Sequence, residues 1–139
     1  MAHAGALRRV GGDNLTAEFI QNEWRQADLT KAERAMLEYA EKMTLTPAMM
    51  TQEDVQTLRD AGWTDRDVLD IAMVCAYFNF RVRLVDGLGL EVSDQAAERA
   101  MQAREQAAAT AQEKGLALPM DIWGVTEQAK QAKEKASGR

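Results

Sequence analysis

Along most of the chain, apolar and polar positions interleave so that each segment keeps its charges on one side. This is the pattern of helices lying on a core. No run of alternating, β-branched-rich residues competes with it. Three threonines mark helix starts, each with an acidic residue three positions on: Thr30 with Glu33, Thr51 with Asp54 and Thr64 with Asp67. A cap hydroxyl accepts a free first-turn amide, and the acid complements the positive end of the helix. Pro47 breaks the chain between the first two of these helices, and Gly62 fits the turn before the third. Arg8, Arg9, Gly11 and Gly12 read as the end of a further helix over 3–10. The pattern predicts helices near 14–26, 31–44, 52–60 and 65–85.

The helix from Asp65 is different. Its stretch VLDIAMVCAYFNF is apolar on nearly every face, which predicts burial at the centre or in a subunit interface. DGLGLE (86–91) ends it with two glycines. Beyond Val92 the composition shifts. Residues 94–114 are alanine-rich with scattered charges, giving high helix propensity but little to bury. LALPMDIW (116–123) is a short apolar segment able to dock on the core or on a neighbouring subunit, and EQAKQAKEKASGR reads as a solvated helix. The expected division is a helical core over 1–92 and a helical extension over 93–139.

Composition narrows the function classes. The 139 residues are 46% apolar and 28% charged, an ordinary globular balance. A net charge of -5 and a pI near 4.9 disfavour a nucleic-acid partner. The most apolar segment, Val68 to Phe80, is interrupted by Asp70 and Asn79 and is too short to span a bilayer. With no signal-peptide pattern and a single cysteine, the expectation is a cytoplasmic protein without a membrane partner.

Individual residues offer little chemistry. Cys75 lies mid-helix with no cation nearby in sequence, and reads as an inert buried thiol. His3 is the single histidine, so any imidazole chemistry must use it, although a lone terminal histidine is usually a surface residue. One His and one Cys argue against a soft-ligand metal site. LRDAGWTDRDVLDIA (58–72) has a helix-turn-helix shape, but its second helix would present Asp65, Arg66 and Asp67 to DNA, and two of these repel phosphate. Glu33, Glu38, Glu41 and Asp54 read as solvated faces, whereas Asp70 within the apolar helix is placed to pair with Arg66.

Four stretches together resemble a known family: HAGALRRVGGD (3–13), ADLTKAERAMLEYAEKMTLTPAMMTQEDVQTLRDAGWTDRDVLDIAMV (27–74), AYFNF (76–80) and RLVDGLGLE (83–91). They resemble the carboxymuconolactone decarboxylase / alkylhydroperoxidase-D-like family, in its peroxidase-related branch. The resemblance implies an all-α fold, an orthogonal helical bundle of the alkylhydroperoxidase-D-like type, assembled as a homo-oligomer. It also implies thiol-dependent peroxide reduction with no bound cofactor or metal. The family motif is a glutamate, a Cys-x-x-Cys, and a histidine four residues after the second cysteine. One thiolate attacks the peroxide, the other resolves the sulfenic acid as a disulfide, and the histidine and glutamate handle the proton.

By this resemblance His3 matches the motif histidine, while the dithiol and the glutamate would fall before Met1. Arg81-Val82 also departs from relatives, which carry a small apolar residue and an asparagine before the arginine here at 83. The expectation is the C-terminal part of a peroxidase-related protein, inactive by itself, with an N-terminal half that another chain could supply. The alternative is a non-enzymatic oligomeric helical module binding a partner or small ligand. In either case self-association is expected through helix 65–85 and segment 116–123.

Overall fold

The computed structural model describes residues 13–91, 93–122 and 124–137. Among these residues the chain is all-α, without strands. The helices are α1 (Asn14–Glu23), α2 (Lys31–Leu45), α3 (Gln52–Asp60), α4 (Asp65–Gly87), α5 (Asp94–Glu113) and α6 (Val125–Ser137). Short 3-10 turns at Trp24–Gln26 and Pro47–Met49 follow α1 and α2. The helix end expected over 3–10 lies outside the described residues, as does His3.

The helix starts form as the local pattern predicts. At α2, the Glu33 backbone N–H donates to the Thr30 hydroxyl at 3.2 Å, and the Thr30 N–H donates to the Glu33 carboxylate at 2.9 Å. Thr64 and Asp67 repeat the exchange at α4, at 3.2 and 2.9 Å. At α3 the Asp54 carboxylate accepts the Thr51 N–H at 2.7 Å. Each exchange satisfies amides that a helix end leaves free. Gly62, with φ 105°, lets the chain leave α3, and its neighbour Trp63 donates its N–H back to Leu58 O at 3.1 Å. Gly89 does the same after α4 with φ 63°, and Leu90 N–H reaches Val85 O at 3.0 Å.

The chain divides into two compact units, one of them Leu29–Glu91. In this unit Ala35, Leu58 and Val68 are buried, with Met36, Tyr39, Val55, Ala61, Trp63 and Ile71 packed around them. The Trp63 indole N–H donates to Ala32 O at 2.9 Å, and Lys42 bridges both Asp54 oxygens at 2.7 Å. These contacts join α2, α3 and the start of α4.

The other unit joins the residues up to Asp28 with those from Ser93 onward. This departs from the expected division at residue 92, because α1 packs on α5 rather than belonging with α2 to α4. Two features account for it. Alanines 97, 103, 107 and 111 are buried along one side of α5, which allows neighbouring backbones to approach closely. The expectation that this helix has little to bury is corrected accordingly. In addition, Glu18 of α1 is 3% exposed and pairs with Arg104 of α5 at 2.6 Å. Arg104 also donates to Pro119 O at 2.6 Å, and the Ile122 N–H donates to Asn22 Oδ1 at 3.3 Å. The 116–122 stretch is thus tied to its own unit, although Leu116, Met120 and Ile122 stay exposed.

A second correction concerns α4: of the two placements its apolar character predicts, the centre or a subunit interface, burial at the centre does not hold. Val68 is its buried residue, and a row of large apolar side chains faces outward instead. The helix has one packed side, and its other sides meet no element of the unit.

Candidate functional site

The thiol of Leu29–Glu91 and the polar side chains bonded to it lie where α2 faces the middle of α4. Cys75 is half-buried there, not enclosed as its apolar neighbours predict. Its thiol lies 3.6 Å from Ala40 O and 3.6 Å from the Thr44 hydroxyl. The Asn79 amide, one turn along α4, donates to the sulfur at 3.5 Å and to the Thr44 hydroxyl at 3.0 Å. Arg83, a further turn along, donates to Asn79 O at 3.0 Å and Asn79 Oδ1 at 3.3 Å. The spacing of four residues puts Cys75, Asn79 and Arg83 on one side of α4.

The groups bonded to the sulfur are neutral, and the guanidinium stops at Asn79. A nucleophilic thiol is activated by a cation or a helix N-terminus beside it. Cys75 sits mid-helix, with a carbonyl to take its proton and an amide to hold its sulfur. Nearby, Tyr39 has its phenol held above the ordinary value, chiefly by burial and then by the proximity of Cys75 and Asp54. This arrangement fixes the thiol in place more than it activates it.

The other residues singled out from the sequence are spread apart. Arg66 pairs with Asp70 at 3.0 Å, as their spacing predicts. Arg59 pairs with Asp65 at 2.7 Å across the Gly62 turn, so the helix-turn-helix shape spends its cations on its own carboxylates. The Thr30 hydroxyl, above all, holds the Glu33 carboxyl below its ordinary value, and Lys42 does so for Asp54. Among the described residues, no group of three or more His, Cys, Asp or Glu side chains comes together in a form that could hold a metal ion. Nor is any helix among them long and apolar enough to cross a membrane.

Thr44, Asn79 and Arg83 were not anticipated as neighbours of the cysteine. The i, i+4 run from 75 to 83 is visible in the sequence, but the part played by Thr44 depends on how α2 crosses α4. The other unit holds a cleft of about 690 Å³ between α1 and the chain after α5, lined by Asp13, Thr16, Phe19, Asp28, Lys114 and Leu116. The Asp13 carboxyl is held low there, mainly by the Thr16 backbone N–H.

The fold and seam define a small all-helical protein with a single, neutrally bonded thiol. No family model matches the chain, and no curated protein matches it. Among solved structures the chain is similar to an uncharacterized peroxidase-related protein from Silicibacter sp. TM1040. The two share 34% identity with a TM-score of 0.64, over 68% of this chain and 50% of that one. The chain therefore spans half the length of that relative.

Proposed function

We propose that this chain is a peroxidase-related, alkylhydroperoxidase-like helical module, and that its 139 residues do not turn over peroxide by themselves. The likeness to the Silicibacter protein supports the first part. The second rests on the thiol count: Cys75 is the one cysteine of the sequence, and its bonding partners are neutral. Dithiol peroxide reduction needs a second thiol to resolve the sulfenic acid formed on the first. A homo-oligomer of this chain would bring further copies of Cys75 and no second kind of cysteine.

The test is consumption of hydrogen peroxide and of an organic hydroperoxide by the purified chain with dithiothreitol as reductant. The expected rate is the uncatalysed background. Turnover above background that disappears in Cys75→Ser would overturn the inactive reading in favour of one-cysteine chemistry with an external thiol.

A second reading, a non-enzymatic oligomeric module, is favoured by a specific observation. Leu69, Met73, Tyr77, Phe80 and Leu84 of α4 are each about half exposed or more. Large exposed apolar patches mark surfaces that associate.

A further inference from the structure

We propose that the cleft of about 690 Å³ between α1 and the chain after α5 binds a short apolar peptide, a dipeptide or tripeptide with both ends free. Neither Cys75 nor α4 belongs to the unit that holds the cleft. Its occupancy is therefore read apart from peroxide turnover and from association.

The cleft has an apolar floor and a polar rim. Leu15 (5% exposed), Phe19 (7%) and Ala27 (5%) line it and are buried, and half-exposed Leu116 adds an apolar edge. Its volume falls within the range of small-molecule sites, roughly 300–1,000 Å³. Backbone hydrogen bonds hold both walls. After α1, the Ala27 N–H closes the turn onto Trp24 O at 3.0 Å. After α5, Gly115 with φ 66° turns the chain, and the Leu116 N–H reaches Ala111 O at 2.9 Å. These bonds set Gln26 and Asp28 on one wall, and Lys114 and Leu116 on the other, before any ligand arrives.

The polar groups of the rim divide into committed and free. Asp13 caps α1, one carboxylate oxygen accepting the Thr16 N–H at 2.8 Å and the other the Thr16 hydroxyl at 3.0 Å. Gln26, Asp28 and Lys114 are exposed, and their side chains make no hydrogen bond or ion pair among the described residues. One carboxamide, one carboxylate and one ammonium thus stand free around apolar surface.

That set selects the occupant. A carboxylate accepts from an ammonium, and an ammonium donates to a carboxylate. A carboxamide both donates and accepts, as a peptide unit does. A peptide with apolar side chains gives each group its partner: the amino end to Asp28, the peptide bond to Gln26, the carboxyl end to Lys114, and the side chains to Leu15 and Phe19. A simple amine would leave Lys114 unused, and a fatty acid would leave Asp28 unused. A nucleotide would bring phosphate charge beside Asp13 and Asp28, two carboxylates against one ammonium.

Isothermal titration calorimetry of the full chain with the dipeptide Phe-Leu tests the assignment. The expected dissociation constant is on the order of 0.1 mM, with one site per chain. Acetylating the amino end should weaken binding at least about tenfold in the unsubstituted chain, but less than about twofold in Asp28→Asn. Amidating the carboxyl end should show the same contrast between the unsubstituted chain and Lys114→Gln. Both residues are exposed and unbonded, so the variants keep the fold, as circular dichroism would verify. On titration the backbone amide NMR shifts of Phe19, Gln26 and Leu116 should move. No heat and no shift change up to about 5 mM peptide overturns the proposal. Equal affinities of free and blocked peptides overturn it in favour of unselective apolar contact. Shift changes confined to Leu29–Glu91 overturn it by placing the binding in the other unit.

Discussion

The guanidinium of Arg104 lies 2.6 Å from the carboxylate of Glu18, whose side chain is 4% exposed, and the two residues are 86 positions apart. A charge this enclosed depends on its cationic partner, and with Arg104 removed the Asn22 amide, 3.1 Å from the same carboxylate oxygen, offers a neutral donor in place of a charge. Arg104→Met should therefore destabilise α1 against α5 by about 3–5 kcal/mol, read as a lower urea midpoint. The same substitution frees Pro119 O, so limited proteolysis should cut within 116–122 sooner than in the unsubstituted chain.

The capping exchanges set a pH limit. Thr30 holds the Glu33 carboxyl below its ordinary value, Lys42 holds Asp54 low, and Thr64 holds Asp67 low. A carboxyl depressed in the folded state contributes stability above its unfolded value and loses it as pH falls toward the folded one. The melting temperature should stay level from about pH 7 to 5 and decline below about pH 4. Thr30→Ala should cost about 1 kcal/mol at neutral pH and flatten part of the acid decline, both readable by calorimetry.

Leu58 is fully buried among Ala35 and Val68. Leu58→Ala should cost about 2–5 kcal/mol. Gly62→Ala should also destabilise, by about 1–3 kcal/mol, though open space surrounds the position. Its φ of 105°, not crowding, is what an added Cβ opposes. Chemical denaturation of the two variants checks both values.

The Cys75 sulfur is held by Ala40, Thr44 and Asn79. Iodoacetamide should alkylate it at least about tenfold more slowly in the folded chain than in urea. Asn79→Ala removes the amide that holds the sulfur and should narrow that difference. Mass spectrometry over a time course reads both rates.

What could be read from the sequence was local. Threonine caps act over three residues, and the ion pair of Arg66 and Asp70 over four, so their spacing alone carries them. The grouping of α1 with α5 could not be read, because it rests on Glu18 meeting Arg104 and Asn22 meeting Ile122 across long separations. The apolar surround of α4 was legible, but periodicity records which residues avoid water and not which partner shields them. For that reason the sequence left two placements for α4, the centre or a subunit interface, and could not say which of its faces Ala35 and Leu58 would cover. Cys75 shows the same gap, since Ala40 and Thr44 approach it from another helix.

The division of the chain has a consequence for the order of folding. Leu29–Glu91 draws its contacts from one continuous stretch and can close as soon as that stretch exists. The unit around Arg104 is assembled from the two sides of it, and Asn22 must wait for Ile122, 100 residues later. Closing so wide a loop costs less entropy once the intervening stretch is already compact. The continuous unit is thereby the earlier step, and α1 spends its first moments on the ribosome without the helix it is built to meet.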